Sequence, residues 1–86
     1  MIESAEIKDK IREYVLEEFA KVKGVNQITD QDALTSTGII DSMGIFRIVA
    51  FLEDTFKIRI GDEEITQDNL ETVDAIEHLV LSKLNK

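Results

Sequence analysis

Ser42 is the residue with the clearest chemical promise, because Asp41 precedes it and a helical pattern starts at it. Gly38 permits a tight turn, Asp41 is a good N-cap, and Ser42 then falls in the first helical turn with its hydroxyl exposed. An anion attached to that hydroxyl meets unpaired backbone N–H groups and the positive end of the helix dipole. For a surface charge that setting is worth about 0.3 to 1 kcal/mol. Taken alone, Asp-Ser before a helix is merely a common cap.

Other polar clusters fail as chemical sites on residue type or spacing. Asp30-Gln31-Asp32 imitates the opening of a calcium-binding loop, but position five is Leu34, the sharp-turn glycine is Thr35 and the terminal acid is the short Asp41. Asp62-Glu63-Glu64 reads as a solvated acidic turn. His78, the single imidazole, has Asp74 four residues earlier on the same helical face. A Ser-His-Asp site is still disfavoured, because no strand-turn-helix elbow is present and such pairs arise readily on solvated helices. No catalytic residue and no metal ligand is assigned.

The elements that must hold Ser42 are helical. From Ile2 to Val22 the apolar residues Ile7, Ile11, Tyr14, Val15, Phe19 and Val22 recur at spacings of three and four, which predicts a long amphipathic helix stopped by Gly24. Its polar face allows pairs such as Glu6 with Lys10. Residues 25 to 41 show no sustained period and read as a long ordered loop, pinned by Ile28, Leu34, Ile39 and Ile40. Ser42 to Phe56 is a second helix with Ile45, Ile48, Val49, Leu52 and Phe56 on its buried stripe. Lys57 to Ile60 is too short for an independent sheet. A short helical turn fits Glu63 to Asn69, and Thr72 caps a last helix buried through Val73, Ile76, Leu79, Val80 and Leu84. The fold class is all-α: a small bundle of three main helices plus one short helix, as a single domain over residues 1–86.

The second helix holds more apolar residues than one face needs. At 100° per residue Val49, Leu52 and Phe56 lie within about 40° of Ile45, whereas Met43, Phe46 and Ala50 point about 100 to 160° away, with Arg47 at their border. The plain reading packs Met43 and Phe46 under the long loop. The functional reading makes them a docking surface. Gly44, in the first turn, costs up to about 1 kcal/mol relative to Ala and loosens the helix start.

Composition narrows the classes. Eighty-six residues leave no room for a multi-domain enzyme or a deep cavity. A net charge of −8 opposes binding to nucleic acid and anionic lipid and calls for partners with basic patches. The excess concentrates in residues 53 to 77, where nine acids face only Lys57 and Arg59. With no cysteine there is no disulfide, thiolate metal site or thiol nucleophile, and a reducing cytoplasm fits. No apolar run reaches the roughly 18 to 20 residues that span a bilayer, so no membrane insertion is expected.

Gly38-Ile39-Ile40-Asp41-Ser42-Met43, followed by Leu52-Glu53-Asp54-Thr55-Phe56-Lys57-Ile58-Arg59-Ile60, resembles the G-x-x-D-S-L and L-E-x-x-F-x-I-x-I pattern of the acyl, peptidyl and aminoacyl carrier protein superfamily. Leu70-Glu71-Thr72-Val73 is similar to the entry of that family's last helix. The resemblance implies that Ser42, next to Asp41, receives the 4'-phosphopantetheine arm of coenzyme A from a phosphopantetheinyl transferase. The arm's thiol then carries an acyl or aminoacyl group as a thioester. The other partners implied are a loading ligase and a downstream acyltransferase or synthase, meeting a monomer through Met43, Phe46, Arg47, Ala50, Glu53 and Ile60. Fatty acid synthase carriers usually place acids early in the second helix, where this chain has Gly44, Ile45 and Arg47; the resemblance therefore points to a specialised discrete carrier. The competing reading is a helical adaptor that binds a partner through Met43, Phe46 and Ala50 with no covalent group.

Overall fold

The computed structural model describes residues 4–84. Helix α1 spans Ser4–Val15 and continues through a π turn, Leu16–Ala20, and a 3-10 turn, Lys21–Lys23. Ile2, where the predicted helix begins, lies outside the described residues. Ile7, Ile11, Val15 and Phe19 are buried, as their spacing requires, and Gly24 ends the helix in the left-handed conformation (φ 82°). Val22 departs from the expectation: it is 78% exposed. A π turn closes i to i+5 bonds and so holds more residues than an α turn. Everything beyond it is rotated, and Val22 leaves the buried stripe.

Helix α2 spans Ser42–Phe56, α3 is the single turn Gln67–Leu70 and α4 spans Val73–Leu84, with a 3-10 turn at Asp62–Glu64. Helix α1 packs mainly on α4, which also contacts α2 and α3. No strand occurs among the described residues. In α2 the stripe Ile48, Val49, Leu52 and Phe56 is buried while Ile45 is only half-buried; in α4 Val73, Ile76, Leu79 and Val80 are buried, but Leu84, in the final turn, is exposed. Thr72 caps α4 by accepting the Ala75 N–H at 3.0 Å. The α1 face pairs Lys21 with Glu17 and Arg12 with Asp9.

The long connection is ordered because it is bonded on both sides. Ile28, Leu34 and Ile40 enter the core, with Ile39 half-buried beside it. The Leu34 N–H donates to the Glu71 carbonyl at 2.7 Å, and the Asp74 N–H donates to the Asp30 carbonyl at 3.0 Å. Glu71 then clasps the loop with its side chain: Thr35 and Ser36 donate their hydroxyls to its carboxylate, the latter at 2.6 Å. Across the loop, Lys23 donates to the Gly38 carbonyl.

The Ser36 and Thr35 hydrogen bonds hold the Glu71 carboxyl below the usual glutamate range, outweighing desolvation. A folded-state value below the unfolded one means stability that is present above the ordinary carboxylate range and lost as pH falls through the lowered value. Urea midpoints of wild type and Glu71→Gln are therefore expected to differ most at neutral pH and to converge on acidification. A gap that stays constant down to pH 3 would exclude the charged clasp.

Gly44 does not loosen the helix start. It is buried, and a Cβ built on it would lie 2.6 Å from Phe19 Cε1. That contact is below any tolerated approach, so only glycine lets the first turn of α2 lie against the Phe19 ring. Gly44→Ala is expected to destabilise by about 1 to 3 kcal/mol through overpacking, despite alanine's better helix propensity. A calorimetric melting temperature equal to or above wild type would refute this.

Candidate functional site

The chain reaches the start of α2 through stacked turns. Gly38 takes a positive φ of 82°, its N–H donating to the Thr35 carbonyl at 3.2 Å, and the Ile40 N–H donates to the Leu34 carbonyl at 2.9 Å. Ile40, 1% exposed, fastens the chain to the core one residue before the cap. Asp41 then leaves helical geometry, and its Oδ1 accepts the Gly44 N–H at 2.7 Å while its carbonyl accepts the Ile45 N–H at 3.0 Å. Asp41 is thus committed to capping. The N–H groups of Ser42 and Met43, at the first two helical positions, have no partner within the helix.

Ser42 stands at that terminus with its side chain exposed. Among the three serines whose side chains are described, Ser36 donates to Glu71 and Ser82 to the Leu79 carbonyl, whereas the Ser42 hydroxyl makes no hydrogen bond with a described residue. Beside it Met43 is 76% and Phe46 67% exposed, and Ala50 is exposed as well. The loop does not cover them. Arg47 is held from α1: it donates to Glu18 at 2.9 Å and its guanidinium lies 4.8 Å from the centre of the Phe19 ring.

Two residues expected on the partner face serve the fold instead. Ile60 is only 7% exposed and belongs to the core. Glu53 is half-buried, and its Oε2 accepts the Ile60 N–H at 2.9 Å, closing the chain back on the end of α2. The pattern Lys-Ile-Arg-Ile carried this signal, since a short alternating run beside a helix end can be an inward tuck as well as a strand.

The remaining acid and histidine clusters are spoken for. Asp30 accepts from Arg12, and Asp32 Oδ2 accepts the Thr29 N–H at 2.8 Å. The Asp74 carboxylate pairs with Lys8 at 2.9 Å, a bond that raises the lysine's pKa, while His78 points outward exposed. Glu64 pairs with Lys83. Much of the acidity in residues 53 to 77 is therefore tied within the fold, leaving Asp54, Asp62 and Glu63 among the exposed acids.

A phosphopantetheine arm fits this site. It needs an accessible hydroxyl, and Ser42 offers one beside a cap whose Asp41 Oδ1 is turned to the Gly44 N–H. First-turn N–H groups suit the phosphodiester's charge. The family model described as "Phosphopantetheine attachment site" matches residues 13–80. The D-alanyl carrier proteins of Streptococcus pyogenes serotype M5 (strain Manfredo), serotype M49 (strain NZ131) and serotype M1 are each 34% identical over 68 residues, covering 77% of this chain and 85% of the relative. A family match over most of the chain, carried on a helical bundle that presents a free serine at a capped helix start, makes this protein a member of the phosphopantetheine-binding carrier family: a non-catalytic carrier of acyl or aminoacyl groups with covalently attached 4'-phosphopantetheine.

Proposed function

We propose that Ser42 is the residue that bears the arm and that this chain is the substrate of a phosphopantetheinyl transferase. The observation supporting this is the exposed Ser42 hydroxyl, unbonded among the described residues, at the start of α2. In the transfer, Ser42 Oγ forms a bond to the phosphorus bearing the pantetheine, the pyrophosphate bond of coenzyme A breaks, the adenine nucleotide leaves and the serine proton passes to the transferase. The arm supplies a terminal thiol for thioester chemistry. Asp41 keeps the helix start rigid, and the first-turn N–H groups of Ser42 and Met43 face the added negative charge.

A ligase loads the arm and an acyltransferase or synthase receives the cargo, with the carrier acting as a cytoplasmic monomer. The D-alanyl carrier relatives support an aminoacyl cargo, with D-alanine the first to try. The early part of α2, with Gly44 and Arg47 in place of acids, supports a dedicated set of enzymes over those of fatty acid synthesis. The experiment is intact-protein mass after incubation with coenzyme A and a broad-specificity transferase. One arm's mass is expected; an unchanged mass, with a control carrier modified alongside, refutes the proposal and favours a non-covalent adaptor.

A further inference from the structure

The apolar surface around Ser42 is built by two helices. The first helix and α2 run antiparallel where they meet: Tyr14 stacks on Phe51 with ring centres 3.9 Å apart, and four residues along each chain Glu18 pairs with Arg47 at 2.9 Å. Val22 and Met43 both lie beyond that pair in the same direction along the two helices, toward the end that carries Ser42. Lys23 donating to the Gly38 carbonyl holds this end of the first helix against the loop that leads to Ser42. Val22, Met43 and Phe46 are the three most exposed large apolar residues described.

The charge around this patch differs from that of the chain as a whole. Glu17 is held by Lys21, Glu18 by Arg47, and Asp41 by the Gly44 N–H. The exposed acids Asp54, Asp62 and Glu63 stand toward the other end of α2, which runs about 20 Å. Arg47 spends one of its five N–H donors on Glu18 and remains 52% exposed. The exposed side chains on the helix face beside Ser42 are therefore apolar, with the Asp41 carboxylate at the cap and a guanidinium at their edge.

An enzyme that modifies Ser42 must bring its phosphorus to bonding distance of Oγ, so its surface covers whatever lies within about one helical turn. We infer that Val22, on the first helix, completes with Met43 and Phe46 the docking surface for the transferase, and that the transferase surface meeting it is an apolar hollow edged by a carboxylate that binds Arg47. The acidic far end of α2 steers basic regions at longer range, while fit at the contact depends on the opposite charge. This rests on Ser42 being the attachment residue.

The test is steady-state arm transfer from coenzyme A by a broad-specificity phosphopantetheinyl transferase, with the carrier as the varied substrate. Val22→Glu and Arg47→Glu are each expected to raise KM for the carrier about tenfold with kcat within about twofold, the size of an interface hot-spot loss. Asp62→Lys, at the far end, should stay within about threefold. The double variant Glu18→Lys/Arg47→Glu restores the internal ion pair with its sense reversed and should keep the raised KM. Circular dichroism melts should match wild type for Val22→Glu and Asp62→Lys, whose side chains are exposed, while Arg47→Glu, which sets two acids together, should melt somewhat lower and the double variant recover toward wild type, so that KM and stability part company. Wild-type KM in Val22→Glu overturns the two-helix surface, and a lowered KM in Arg47→Glu, or a restored KM in the double variant, overturns the carboxylate contact. A wild-type chain that gains no arm overturns the Ser42 assignment itself and this inference with it.

Discussion

Ser42→Ala is expected to abolish the gain of one arm's mass completely, whereas Ser36→Ala should be modified like wild type. The loss is total because the modification forms a bond to one oxygen and no other described hydroxyl is equally placed. Ser36 lies six residues away and is also exposed, but its Oγ donates to Glu71 at 2.6 Å. Ser82 sits in the last turns of α4 with its hydroxyl on the Leu79 carbonyl. The alanine variant should remain folded, since an exposed side chain with no hydrogen bond is removed and alanine favours the helix. Retained helical signal with no mass gain is the expected pair of results. A mass gain in Ser42→Ala would move the attachment elsewhere.

Leu52→Ala is expected to cost about 2 to 5 kcal/mol, while Phe46→Ala stays within about 0.5 kcal/mol. Leu52 is 0% exposed and sits midway along the stripe that joins α2 to the core, so truncation leaves a cavity in closely packed surroundings. Phe46 is the larger side chain but is 67% exposed. Stabilities of about 0.05 to 0.15 kcal/mol per residue give a domain of this size only about 4 to 13 kcal/mol in total. The Leu52 variant should therefore show a much lower urea midpoint, and at the upper end of its cost a fraction unfolded in buffer. A larger loss in Phe46→Ala than in Leu52→Ala would show that α2 is rotated relative to the core from the orientation described.

The helices and their caps were legible because their signals are local. Periods of three and four mark Ile7 to Phe19, Ile48 to Phe56 and Val73 to Val80; Asp41 and Thr72 are cap residues at the right offsets, and Gly24 supplies the left-handed stop. What escaped depends on partners distant in sequence. Nothing near Gly44 announces that Phe19 will lie against it, so its glycine reads as a weakness rather than a fit. Glu71 looks like one acid among many until Thr35 and Ser36 are folded onto it. The motif around Ile60 suggests the partner face, but its backbone bond to the Glu53 side chain and its burial reveal an inward turn. Val22 followed the helical period correctly, but the π turn before it changed the period. At the site, Ser42 and Asp41 were readable from type and spacing; the exposure of Met43 and Phe46 required the loop to be seen lying elsewhere.

That π turn also gives the first helix a second structural property. Residues before it are phased by the core, through Ile7, Ile11 and Val15, while the turn itself keeps Phe19 and Ala20 in that core and sets Phe19 on Gly44 and Glu18 on Arg47. The turn works as a vernier between two scales: its extra residue lets Phe19 and Ala20 stay inside while the Lys21–Lys23 segment is swung around its axis toward solvent. The phase of the chain at this one place sets which side of the Lys21–Lys23 segment lies at the carrier's edge.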